Sequence, residues 1–168
     1  MRIVCDADGL IKMQKAGLLH LLVQHAEVHI GPEVFREAVI KGKARGYPDA
    51  VALEQLLQPH WPQPAPPMHP HAVQMLQGTR LGPGETETLH LYMQARGDAI
   101  VSDDRAFVML LLTHHLPVLT PAAVVVALCA WELVTVPHAR QALECLRPLI
   151  RAEQYQAAQA DLAAMERK

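Results

Sequence analysis

Two short apolar runs, each stopping at a pair of carboxylates and passing straight into a helical pattern, constrain this chain more than any other feature. The first is Ile3-Val4-Cys5, followed by Asp6-Ala7-Asp8-Gly9, and the second is Ala99-Ile100-Val101-Ser102, followed by Asp103-Asp104. Runs this short that alternate with helical segments read as buried strands of a parallel sheet. Such strands deliver whatever follows them to the carboxyl edge of the sheet, where open α/β folds bind their ligands. Asp6, Asp8, Asp103 and Asp104 are therefore expected at one edge.

The remaining segments suit the same architecture. Gly9 to Gln24 carries Leu10, Ile11, Leu18, Leu19, Leu21 and Leu22 on an apolar face, with Gly17 breaking it into two helical pieces. Glu27 to Ile30 reads as a strand closed by Gly31-Pro32. Pro32 suits the first turn of a helix running to about Lys41, which puts Glu33 and Glu37 four residues apart on one face. Lys41 to Gly46 reads as a basic, glycine-flanked loop, and Asp49 to Leu57 as a short helix. The proline-rich stretch from Gln58 to Pro70 reads as an extended surface connection. Leu81-Gly82-Pro83-Gly84-Glu85 opens a helix to about Arg96, ended by Gly97. Helices at Arg105 to His115, Pro121 to Leu133, Pro137 to Leu149 and Arg151 to Met165 follow, with a strand at Pro117 to Leu119. This alternation predicts a three-layer α/β/α fold with a central parallel sheet and extra C-terminal helices. One domain is expected over 1–168, with a core at 1–136 and the C-terminal helices at 137–168.

Composition enters as a constraint on this reading. At 51% hydrophobic and 19% charged, the 168 residues contain ample apolar material for a core. A formal net charge of -2 gives no basic excess of the kind phosphate binding usually brings. A local basic rim is still compatible with it: Lys12, Lys15, Lys41, Lys43, Arg45, Arg80 and Arg105 lie in segments bordering the acids and could receive an RNA backbone. Cys5, Cys129 and Cys145 sit in apolar stretches and are odd in number, which suits buried free thiols in a reducing cytoplasm. The N-terminal apolar stretch is too short for a signal peptide, and Phe107 to Val136 is broken by His114, His115, Pro117 and Pro121 before it reaches the roughly 18 apolar residues of a membrane span. A cytoplasmic protein without membrane association is expected. His60, His69 and His71 read as exposed loop residues rather than a zinc site, and Trp61 as an anchor for that loop.

Asp6, Asp8, Glu37, Glu85, Asp103 and Asp104, with Glu33 nearby, form the chemical constellation. Carboxylates meeting at one sheet edge repel unless cations neutralise them, which implies hard ions with oxygen ligands, Mg²⁺ or Mn²⁺. Such sites perform phosphate chemistry: one metal lowers the pKa of a bound water, and a second stabilises the leaving oxygen. Each acid also has a plain alternative. Asp6 can cap a helix, Asp103 and Asp104 can be a helix cap and its neighbour, Glu37 can pair with Lys41, and Glu85 and Glu87 favour a helix N-terminus without chemistry.

Five segments jointly carry a family resemblance: VCDADGLI with KAGLL after it, IGPEVFREAV, LGPGETETLHLYMQARG, AIVSDDRAF and PVLTPAAVVVAL. In order and spacing they resemble the PIN domain, the metal-dependent ribonuclease fold of VapC-like toxins, over most of residues 1 to 126. The resemblance implies that Asp6, Glu37, Glu85 and Asp104 are the four catalytic acids, with Asp8 and Asp103 as further candidate metal ligands. It also implies Mg²⁺ or Mn²⁺ as cofactor, RNA as substrate, an antitoxin protein as partner and a homodimer. Three positions depart from the common pattern. Asp8 stands where a small polar residue is frequent, the third acid is Glu85 in a Gly84-Glu85 form rather than an aspartate, and Ala106 replaces another aspartate. A PIN-like binding or regulatory module without catalysis is the non-enzyme alternative. A haloacid-dehalogenase-type phosphatase, with Asp6 as nucleophile and Asp8 as general acid, is a third. Against it, Leu10 takes the place of the usual threonine, no strand ending in Ser or Thr lies between the acidic motifs, and nothing after Gly9 leaves room for a flap.

Overall fold

Four short strands pair in parallel: β1 (Arg2–Cys5), β2 (Glu27–His29), β3 (Ala99–Val101) and β4 (Val118–Leu119), in the spatial order β2-β1-β3-β4. The computed structural model describes residues 1–57 and 64–167. In register, Val4 lies opposite His29 on one side and Ile100 on the other. The chain leaves β1 in one direction to form β2 and returns on the opposite side to form β3. The order therefore reverses between β1 and β3, and the crevice at their carboxyl ends is the topological switch point of the sheet.

The period of two along a strand sorts the core into two layers. Ile3, Cys5 and Val101 face one side, where they pack with α1 (Ala7–Lys15), α2 (Leu19–His25), α5 (Pro48–Leu57), α9 (Pro121–Ala130), α10 (Val136–Leu146) and α11 (Ala152–Met165). The same layer takes Val34 of α3 (Pro32–Phe35) and Val39, whose turn leads into α4 (Lys41–Ala44). Val4 and Ile100 face the other side and meet α6 (Pro70–Leu76), α7 (Pro83–Ala95) and α8 (Arg105–Thr113). These two helical layers around a parallel sheet are the expected α/β/α arrangement. The C-terminal helices are integral to the first layer: Ala139, Leu143 and Leu146 of α10 and Leu162 of α11 are wholly or almost wholly buried.

Several local expectations are corrected. Lys41 to Gly46 is not a loop from its start, since α3, one π-helical turn at Arg36–Ile40 and α4 continue one another. Gly42 explains this, because a Cβ there would lie 2.7 Å from the Ala50 side chain and the bare backbone lets α4 settle against α5. Helix α6 was hidden by the proline-rich stretch, in which seven residues are too few to establish a period, yet Pro70 seeds it and Ala72 and Met75 bury it. The left-handed residue that ends α7 is Arg96, at φ 50°, rather than Gly97. Gly97 serves a close approach instead, as a Cβ would meet the Tyr92 ring at 2.7 Å and Val4 at 3.2 Å. Cys5 and Cys129 are buried thiols as expected, but Cys145 is exposed on the outer face of α10. His60, Trp61 and the first half of the proline-rich stretch lie outside the described residues. Among those described, no helix is long and apolar enough to cross a membrane.

Candidate active site

Asp6 occupies the switch point. Its backbone N–H donates to the Val101 carbonyl at 3.2 Å, which extends the β1–β3 ladder by one residue, and its carboxylate then caps α1 by accepting from Gly9 N–H at 2.6 Å. Gly9 is required there, since a Cβ would lie 2.6 Å from the Val101 carbonyl oxygen. The second Asp6 oxygen accepts from the Ser102 hydroxyl. Ser102 is fully buried, and its oxygen in turn accepts from the Asp104 backbone N–H at 3.2 Å. Asp104 caps α8 by accepting from Phe107 N–H at 2.8 Å. Ser102 thus couples the first and fourth acids through one buried hydroxyl. It was missed as a site residue; the signal for it was a lone polar residue between an apolar strand and an acid pair.

Burial raises the Asp6 carboxyl to about 7, with the Asp8 and Glu85 charges adding to the rise and the Ser102 and Gly9 hydrogen bonds opposing it. The tertiary structure has therefore brought Glu85, far away in sequence, into the electrostatic field of Asp6. Glu85 lies in the first turn of α7. Glu37 comes from the π-helical turn, an irregularity frequent at functional sites, and reaches the start of α7. Its Oε2 rests 2.7 Å from where a Gly84 Cβ would stand, so the glycine before Glu85 is a cradle for the Glu37 carboxylate. The Glu37–Lys41 pair is present but long, at 3.4 Å.

Glu87 has a different job. Its Oε2 accepts from the backbone N–H groups of Glu33 at 2.8 Å and Val34 at 3.2 Å, which caps α3 from another element. Gly31 leaves the space for this carboxylate. Glu33 points away and pairs with Arg36.

Asp8 and Asp103 are held by a cation of the chain itself. Lys12 Nζ donates to Asp8 at 2.7 Å and to Asp103 at 2.6 Å, and the second Asp103 oxygen accepts from Gln154 Nε2 at 2.6 Å, with Arg151 at 3.9 Å. Lys12 is thus withdrawn from the expected RNA-facing rim. Lys15 pairs with Asp49 and Lys43 with Glu54, so these two are also engaged. Arg45, Arg80 and Arg105 are exposed. A cavity of about 380 Å³ opens beside Glu37, floored by Ile11, Ala38, Ala50 and Leu53, with Arg45 and Tyr47 also lining it.

Asp6, Glu37, Glu85 and Asp104 offer oxygen donors only, the chemistry of a hard divalent ion. The Gly84 cradle and the charge strain on Asp6 fit such an ion, which would relieve both desolvation and repulsion. Among the described residues no three carboxylate, histidine or cysteine side chains are grouped to hold one metal ion. Glu37 and Glu85, the two long side chains of the set, are both only half buried.

A family model described as DUF3368: PIN domain matches residues 2–159. The match runs beyond the motif-bearing segment, through α10 and into α11. No curated protein and no solved structure matches the chain.

Proposed function

Because the chain belongs to the PIN-domain family, we propose that it is a metal-dependent endoribonuclease that hydrolyses RNA phosphodiester bonds with Mg²⁺ or Mn²⁺. PIN domains are commonly nucleases and generally use divalent ions, and the arrangement of acids supports this specific reading. The observation that carries it is the Ser102 hydroxyl joining Asp6 to Asp104 at the switch point, within the field of Glu85. Asp6, Glu37, Glu85 and Asp104 are the residues proposed to hold the ion. When bound, the ion supplies Lewis-acid stabilisation of phosphate oxygens and acidifies water. Asp6 is oriented by two hydrogen bonds, from Gly9 N–H and the Ser102 hydroxyl, and would anchor the group. Glu37 and Glu85 adjust to it, and the exposed Arg45 and Arg105 receive the substrate backbone. In this reading residues 1–168 are one PIN-like domain of a cytoplasmic protein. A VapC-like toxin acting as a homodimer under an antitoxin protein is the finer proposal, resting on the motif resemblance.

A phosphatase of the haloacid-dehalogenase type is disfavoured, since α1 starts at the residue after Asp6, leaving no segment for a flap. One observation favours a second reading, a binding or regulatory module without catalysis: as placed, the acids form no group of three around a common point.

Cleavage of a mixed RNA substrate with Mn²⁺ separates the two. Wild-type cleavage that is lost with EDTA and in Asp6→Asn, with the fold retained, is the expected result. RNA binding without cleavage under the same conditions would overturn the nuclease reading in favour of the module.

A further inference from the structure

The Asp8–Asp103 pair contains a built cation site whose occupant is already in place. We propose that the Lys12 ammonium takes a cation position beside the four-acid set and keeps divalent ions out of the Asp8–Asp103 pair. The inference rests on the nuclease reading only for what the neighbouring acids do.

Asp8 and Lys12 stand four residues apart on α1, so the helix itself places the ammonium over the carboxylate at 2.7 Å. Asp103 arrives from the end of β3, and its side chain is only 3% exposed while that of Lys12 is 13% exposed. A buried carboxylate without a cation would be strongly disfavoured, and here both of its oxygens are engaged, one by Lys12 at 2.6 Å and one by Gln154 at 2.6 Å. Arg151 adds a second positive charge at 3.9 Å. Two carboxylates therefore face two cationic side chains, and the pair taken by itself is balanced in charge. An ion that entered would also leave the sheltered ammonium without partners, which opposes exchange. Asp103 is a positioning residue in this arrangement: it ties α11 to the loop that carries Asp104, and unlike Asp6, whose donors are neutral, it already holds a cation in Lys12.

The test counts bound Mn²⁺ by electron paramagnetic resonance in wild type, Lys12→Arg, Lys12→Met and Lys12→Met/Asp8→Asn. Lys12→Met is expected to bind one more ion per chain than wild type. Lys12→Arg should match wild type, and the double variant should lose the gained ion. An equal count in wild type and Lys12→Met overturns the proposal. A wild-type count of zero with a gain in Lys12→Met would instead sustain it and overturn the metal-dependent nuclease reading. Should Lys12→Met fail to fold, the ¹⁵N-resolved ammonium resonance of Lys12 in wild type decides. It should persist unchanged at saturating Mg²⁺, and its disappearance would overturn the proposal.

Discussion

Ser102 donates its hydroxyl to the buried carboxylate of Asp6 across the seam between β3 and β1, 96 residues away in sequence. The same oxygen accepts the backbone N–H of Asp104, so one side chain sets the spacing of two acids delivered by different strands. Ser102→Ala leaves one oxygen of the buried Asp6 carboxylate without its donor, and an expected loss of about 1–3 kcal/mol follows. Urea unfolding at pH 8 measures it, and the Asp6 carboxyl should titrate still higher in the variant.

The pH dependence of Asp6 has a definite sign. Its carboxyl stands at about 7 in the folded protein, above the ordinary 3.8. A group raised on folding contributes stability that is fully present below its unfolded value and lost as pH rises through the folded one. Metal-free wild type should therefore lose stability relative to Asp6→Asn between about pH 4 and pH 7, by up to about 4 kcal/mol. Urea midpoints in EDTA at pH 4.5 and pH 8 check this; a constant difference between the two proteins would contradict it. Mn²⁺ affinity should weaken below about pH 7, because protons compete for the same oxygens.

Gly84→Ala separates stability from function. The new Cβ meets the mobile end of Glu37, 2.7 Å away, rather than backbone. Stability should stay within about 1 kcal/mol of wild type, since alanine favours the helix. Displacing the Glu37 carboxylate should cost at least about tenfold in Mn²⁺-dependent cleavage. Thermal melting and initial rates measured on one preparation make the comparison.

Glu87→Ala removes the cross-element cap of α3 and should cost about 1–2 kcal/mol. Glu87→Gln keeps an acceptor for Glu33 and Val34 N–H, so it should recover most of that loss. Calorimetric unfolding of both variants distinguishes a cap from a metal ligand: neither should change Mn²⁺ affinity.

Much of this architecture was legible because strand and helix periods are local. The apolar triplets before Asp6 and Ser102, the break at Gly17 and the proline starts of α3, α7 and α9 each follow from a few adjacent residues. The errors fell where a distant neighbour decides the local backbone. Lys41–Ala44 is helical because Gly42 packs on Ala50, and α6 persists because Ala72 and Met75 find α7. Cys145 stands within an apolar stretch, yet it faces outward because the buried face of α10 is set by Ala139, Ala142, Leu143 and Leu146.

The candidate site divides in the same way. Sequence alone determined which residues end the central strands and which open the flanking helices, and therefore that Asp6, Glu85 and Asp104 lie at the sheet's carboxyl edge. Only the tertiary structure decided their company. It gave Asp6 the hydroxyl of Ser102, Glu37 the bare backbone of Gly84, and Asp103 the side chains of Lys12 and Gln154. The reason is physical. A buried carboxylate must find donors or a cation wherever packing brings them, and packing joins residues that no local pattern relates.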